Sequence, residues 1–315
     1  MRASRDAAVF GGLFLGLAVL AACGDDTSAS GAGGGGGQGG AGGEGGGPNL
    51  DFQAGGDRPV TVHVPPGYDP TTPAPLVVLL HGYGASGDLE DVYLDVSTAA
   101  RDRGVVFAAP TGTPDLVGRA FWNATDACCN FDGLDVDDEG YLMGLVDEIA
   151  MTVEIDPKRV YFIGHSNGAF MSHRLACNHA DRIAGIVTLA GALSTDLTAC
   201  EPSEPVSVLH VHGTADDTIL FDGGVLDMSG IAYPGAEATI ERWAEVDGCD
   251  PTPTSLEPID LDFGIDGAET TVTEWGNCGS DTAVELWAIQ GGGHIPILGD
   301  FGGARFLDWL LTHPK

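Results

Sequence analysis

Positive charge is what this chain has least of. Its 315 residues carry 13 Lys and Arg against 46 Asp and Glu, a formal net charge of −33. Basic stripes are absent, so nucleic acid is excluded as a partner and anionic membrane surfaces are repelled. The acidity reads as solubility outside the cell. A long apolar run is missing too: the mostly apolar stretch from Ala7 to Leu20 is shorter than the roughly 20 residues of a spanning helix. None of the cysteines shows the C-x-x-C spacing of a zinc site. Asp135, Asp137, Asp138 and Glu139 lack the glycine spacing of a calcium loop, and a helix N-cap at Asp137 or Asp138 explains them instead. No metal and no cofactor are expected.

What is present begins with an address. Arg2 and Arg5 precede the apolar stretch, which ends in Ala21-Ala22-Cys23, the order of an export signal. Leu20-Ala21-Ala22-Cys23 resembles a bacterial lipobox, so residues 1–23 are expected to be a leader and Cys23 a lipidation site. The membrane is then a partner only through that anchor. An ordinary secretory signal that happens to end at a cysteine is the other reading. Residues 24–50 are dominated by glycine and read as a flexible linker, because they have no apolar surface to offset the entropy of ordering. Residues 51–315 read as a single domain, since no internal repeat and no second linker divide them. Six cysteines remain there: Cys128, Cys129, Cys177, Cys200, Cys249 and Cys278. An even number in an exported chain points to disulfides.

Short apolar runs alternate with helix-like stretches along this domain. Val60, Val62 and Val64 alternate with polar residues as in an edge-type strand, and Pro75 to Leu80 is a continuous apolar run suited to burial on both faces. A helix is expected over 88–103, a strand over 105–109, a helix over 138–153 and a strand over 160–163. The pattern continues with a helix over 168–178, strands over 183–189 and 206–211, a helix over 236–246, a last strand over 284–289 and a last helix over 304–312. Such alternation predicts an α/β fold, a mostly parallel central sheet flanked by helices, with its site at the carboxyl ends of the strands.

The chemistry-bearing motifs fall at those ends. Gly164-His165-Ser166-Asn167-Gly168 follows a predicted strand and precedes a predicted helix, the setting of a nucleophile elbow in an α/β-hydrolase. A serine hydroxyl needs a positioned base. Of nine histidines only His294, in Gly291-Gly292-Gly293-His294, lies on a loop after a late strand. In this fold the acid precedes the histidine, and His212-Gly213-Thr214-Ala215-Asp216-Asp217 supplies it as Asp216, with Asp217 as the alternative. The backbone N–H groups of Asn167 and of Tyr83, in His81-Gly82-Tyr83-Gly84, are the candidate oxyanion donors. His81 is expected to hydrogen-bond locally. Trp122 and Phe121 are candidate pocket linings.

On these residues the chain resembles the polyhydroxybutyrate depolymerase and feruloyl esterase group, carbohydrate esterase family 1. The likeness runs from Ile155-Asp156-Pro157 through the elbow and includes Cys128-Cys129, Val136 to Gly140, Leu175-Ala176-Cys177, His212 to Asp216 and Gly292-Gly293-His294. It implies an exported serine esterase acting on polyesters or on acyl esters of plant polysaccharides, working through an acyl-enzyme. It also implies a Cys249–Cys278 disulfide, and bridges from Cys128 and Cys129 to Cys177 and Cys200 in either pairing. Where the family often has an aromatic after the histidine, Ile295-Pro296-Ile297 stands here, which makes Ile295 a candidate substrate contact and leaves the ester open. A surface polymer- or glycan-binding protein on a hydrolase scaffold, and a serine peptidase, are the competing functions.

Overall fold

A computed structural model describes residues 49–299 and 302–315. The expected leader, Cys23 and all but the last two residues of the linker lie outside that range. The chain opens with a short antiparallel edge, β1 (Phe52–Ala54) against β2 (Val60–His63). Next comes β3 (Ala74–Leu80), whose seven residues are all buried, as its unbroken apolar run requires. Helices α1 (Gly87–Leu94) and α2 (Val96–Asp102) lead to β4 (Val106–Ala108), and a hairpin of β5 (Thr113–Pro114) and β6 (Ala120–Phe121) follows. Then come α3 (Asp138–Thr152), β7 (Ile155–His165), α4 (Asn167–Asn178), β8 (Gly185–Leu189) and β9 (Ser207–Gly213). A second hairpin, β10 (Gly223–Leu226) and β11 (Ile231–Pro234), precedes α5 (Ala236–Val246). The chain closes with β12 (Thr254–Ser255), β13 (Thr270–Trp275), β14 (Val284–Ile289) and α6 (Gly302–Leu311).

The main sheet runs β1-β2-β4-β3-β7-β8-β9-β14-β13-β12. Its middle, β4 to β14, is parallel, and both margins are antiparallel. The period of two along each strand divides the core. Val77 and Leu79 of β3 and Val187 and Leu189 of β8 pack towards α2 and α6. Leu76, Val78 and Leu80, with Ile186, pack towards α3, α4 and α5. Each large aliphatic side chain buried this way contributes on the order of 2 kcal/mol. Among the described residues no helix is long and apolar enough to cross a membrane.

Three expectations change. The helix over 88–103 is two helices, because Asp95 stands in the left-handed region at φ 52 and the Asp91 carboxylate accepts the Ser97 amide at 2.8 Å, capping the second one. Strand β13, Thr-Thr-Val-Thr-Glu-Trp, pairs along its whole length with β14, and a search for apolar runs passes over it. The bridges from Cys128 and Cys129 to Cys177 and Cys200 do not form. Cys128 is joined to Cys129, Cys177 to Cys200 and Cys249 to Cys278. The turn in which Thr125 and Cys128 exchange backbone hydrogen bonds keeps the first two sulfurs in their own loop. Cys177, near the end of α4, instead meets Cys200 with Cα atoms 5.0 Å apart, a spacing that suits a disulfide.

Candidate active site

Strand β7 delivers the nucleophile elbow and α4 leaves it at once. Ser166 occupies φ 54, ψ −118, a strained conformation for a residue with a side chain. Two glycines make the turn possible. A Cβ at Gly164 would lie 2.2 Å from the Gly168 carbonyl oxygen, and one at Gly168 would lie 2.0 Å from that of Leu80. The serine therefore stands up from the sheet at the N-terminus of α4, where unpaired amides and the helix dipole favour negative charge.

Ser166 Oγ lies 3.0 Å from His294 Nε2, and His294 Nδ1 lies 2.7 Å from Asp216 Oδ2. The other Asp216 oxygen accepts the amides of Thr218 and Ile219 at 2.8 and 2.9 Å. Burial works to raise the Asp216 pKa, yet hydrogen bonds from His212 and His294 and the Thr218 amide hold it well below the ordinary carboxylate value. Burial pushes His294 below its usual value, and the hydrogen bond to Asp216 opposes that fall. Asp216 is buried, whereas its neighbour Asp217 is exposed, so the pair is resolved by position: only Asp216 reaches the imidazole.

The loop after β3 passes directly over the serine. A Cβ at Gly82 would lie 3.3 Å from Ser166 Cβ, and Gly84, at φ +79, donates its amide to the Ala120 carbonyl at 2.8 Å. Between them, the Tyr83 amide has no acceptor among the described residues, and neither does the Asn167 amide. The Tyr83 phenol donates to Asp115 at 2.6 Å, and burial together with that carboxylate pushes its pKa up to about 12. Asn167 is clamped through its side chain: Oδ1 accepts the Trp122 amide at 2.7 Å and Nδ2 donates to the Trp122 carbonyl at 2.9 Å. His81 bonds locally, as expected. Its Nδ1 donates to the Gly82 carbonyl at 2.7 Å and its Nε2 accepts the Gly112 amide at 2.9 Å.

The two aromatic pocket candidates are not pocket walls. Trp122 is fully buried with its indole N–H donated to the His81 carbonyl at 3.1 Å, and Phe121 is equally enclosed. Both are core beneath the loop that follows β3, and that hydrogen bond fixes the indole inward. Ile295 does lie at the surface beside His294, together with Ile297, in a shallow hollow shared with Val92 and Tyr93. Three residues outside the expected set touch the site: Glu90, which accepts the Gly82 amide at 3.0 Å; His165, whose Nε2 lies 3.1 Å from the His294 carbonyl; and His212, whose Nε2 lies 3.4 Å from Asp216. His165 and His212 sit inside motifs already singled out, so adjacency to those motifs is the signal that points to them. Glu90 carries no signal beyond being acidic on a helix.

Such an arrangement can deprotonate a serine hydroxyl, deliver it to a carbonyl carbon and hold the resulting oxyanion with two backbone amides. The family described as Phospholipase/Carboxylesterase matches residues 68–226. Feruloyl esterase B of Piromyces equi is 30% identical over 251 residues, covering 78% of this chain and 44% of that one. Feruloyl esterase D of Neurospora crassa is 28% identical over 269 residues, covering 79% and 77%. A bifunctional acetylxylan esterase/xylanase of Neocallimastix patriciarum is 25% identical over 248 residues, covering 79% and 32%. The chain thus spans less than half the length of the first and third of these relatives. The structure of an acetyl xylan esterase from Aspergillus awamori superposes with a TM-score of 0.56 at 17% identity, over 84% of this chain and 99% of that one, a likeness of fold.

Proposed function

Because the chain belongs to the phospholipase/carboxylesterase family of α/β-hydrolases, we propose that it is a serine carboxylic-ester hydrolase acting through an acyl-enzyme on Ser166. The observation that carries the reading is the continuous Ser166–His294–Asp216 chain at 3.0 and 2.7 Å, with the Asn167 and Tyr83 amides, which have no acceptor among the described residues, next to the serine in sequence and in the loop over it. His294 Nε2 takes the Ser166 proton as Oγ attacks the ester carbonyl, and Asp216 stabilises the imidazolium that forms. The Tyr83 and Asn167 amides hold the oxyanion. The imidazolium then protonates the departing alcohol, and a water activated by the same histidine releases the acid.

Feruloyl and acetyl esters of plant polysaccharide are the leading substrates, supported by the feruloyl esterase and acetylxylan esterase relatives. A hydroxybutyrate polyester is retained from the motif resemblance. Three disulfides suit an enzyme that works outside the cell, and export with a lipid anchor on Cys23 remains part of this proposal. Hydrolysis of p-nitrophenyl acetate by the wild-type chain and by Ser166→Ala tests the reaction, with a loss of at least about a thousandfold expected. An active variant refutes it. Release of ferulate, acetate or hydroxybutyrate from the matching polymers identifies the ester.

A further inference from the structure

Two buried charged side chains stand behind the triad without a part in the proposed reaction. Glu90, on α1, accepts the Gly82 amide through Oε2 at 3.0 Å, and its Oε1 lies 3.1 Å from His165 Nδ1. His165 ends β7 immediately before the nucleophile, and its Nε2 donates to the His294 carbonyl at 3.1 Å. A carbonyl oxygen only accepts, so Nε2 carries a proton. A bare Nδ1 would set a lone pair against the Glu90 carboxylate, so Nδ1 carries one as well. Protonated on both nitrogens, the ring sets a counter-charge 3.1 Å from Glu90 Oε1, a buried oxygen that has no hydrogen-bond partner among the described residues. Burial works against both charges, but each partner holds the other ionised: Glu90 lies below its ordinary value and His165 above its own. The His165 and His294 rings stand 5.2 Å apart, centroid to centroid.

We propose that His165, kept positively charged by Glu90, is a positioning residue that extends the reaction into acid: it anchors the His294 carbonyl and disfavours a second positive charge on the neighbouring ring. The idea rests on the triad reading and adds a pH function to it. The groups facing His165 are Glu90 and Tyr93 from α1, His294 from the loop after β14, and Asp216 from the loop after β9. Those facing His294 are Ser166, Asp216, His212 and His165. His81 also acts on Glu90 through its charge, and Asp262 on Tyr93. Asp216 favours the protonated form of His294, and the charge on His165 opposes it. Through Gly82 the same Glu90 also steadies the loop that carries the Tyr83 amide, so one ion pair joins the oxyanion loop, the elbow and the histidine loop.

The test is the pH profile of kcat/KM for p-nitrophenyl acetate, measured on the full chain and on Glu90→Gln, which matches the carboxylate in shape but leaves His165 without a counter-charge. The acid limb of the variant is expected to rise by about one pH unit. His165→Gln, whose amide can still donate to the His294 carbonyl, should move the limb in the same direction. A purely structural role lowers the plateau and leaves the midpoint in place, and that result, or a limb moving to lower pH, overturns the proposal. Ser166→Ala run alongside separates the two claims: if it stays active the triad reading fails, whereas an inactive Ser166→Ala with an unmoved limb removes only this inference. Should either variant fail to fold, the imidazole 15N shifts of the wild-type chain decide. Both His165 nitrogens protonated at pH 7 support the proposal, and a neutral ring contradicts it.

Discussion

Asp216 and Asp217 are neighbours in sequence and differ in everything around them. Asp216 is enclosed, accepts two backbone amides and meets His294 at 2.7 Å, while Asp217 faces solvent. Asp216→Asn should therefore lower kcat on p-nitrophenyl acetate by about a thousandfold or more, because an amide in that place no longer holds the imidazole in the tautomer that accepts the serine proton. Asp217→Asn should stay within a few-fold of wild type in the same assay. The reaction needs His294 unprotonated, and burial holds its pKa below the ordinary histidine value. The wild-type acid limb of kcat/KM is accordingly expected below about pH 6.5. Ser166 and His294 are legible in the sequence because the elbow and the late glycine loop restrict them to a few positions. Trp122 is not, because an indole beside a site reads the same whether it points into the pocket or, as here, donates to a buried carbonyl.

At the scale of elements, the order of strands and helices is readable because each buried strand is a short apolar run between turn residues. The two-residue hairpin strands are not, since two residues are too few to show a period, and neither is β13, whose residues are mostly polar and owe their conformation to pairing with a neighbour. Disulfide partners are likewise decided by which ends of elements meet in space. Cys177 lies near the end of α4 and Cys200 in the loop after β8, so their bridge closes a segment of 23 residues' separation across the back of the elbow helix. Replacing both by serine should lower stability by about 3 kcal/mol on the chain-entropy account. Urea denaturation of the double variant, read by tryptophan fluorescence, measures it. A loss under about 1 kcal/mol would mean that packing, and not the crosslink, holds that end of α4.

At the scale of the whole molecule, most carboxylates among the described residues are exposed or half-buried, and a few buried titratable groups couple stability to pH. His173 accepts the Trp243 indole N–H on Nδ1 at 3.0 Å, and burial holds its pKa down to about 3; His210 is also held well below its usual value by burial. Each binds a proton more readily when unfolded than when folded, so stability falls as pH drops below about 6.5. Asp247 has the opposite sign. Burial raises its pKa to about 7, against the Val206 amide that it accepts. The unfolded carboxyl ionises near pH 4, so its cost grows between about pH 4 and 7 and is constant above. Asp247→Asn should raise stability at pH 8 by on the order of a few kcal/mol and by little at pH 4, which thermal melts at the two values distinguish. The claim on which the rest depends is that one serine of this molecule becomes covalently acylated. Intact-mass spectrometry after treatment with a fluorophosphonate, followed by peptide mapping, tests it most directly. A single adduct on Ser166 that is absent from Ser166→Ala is the predicted result, and an ester-hydrolysing wild-type chain with no adduct, or with the adduct on another residue, would contradict it.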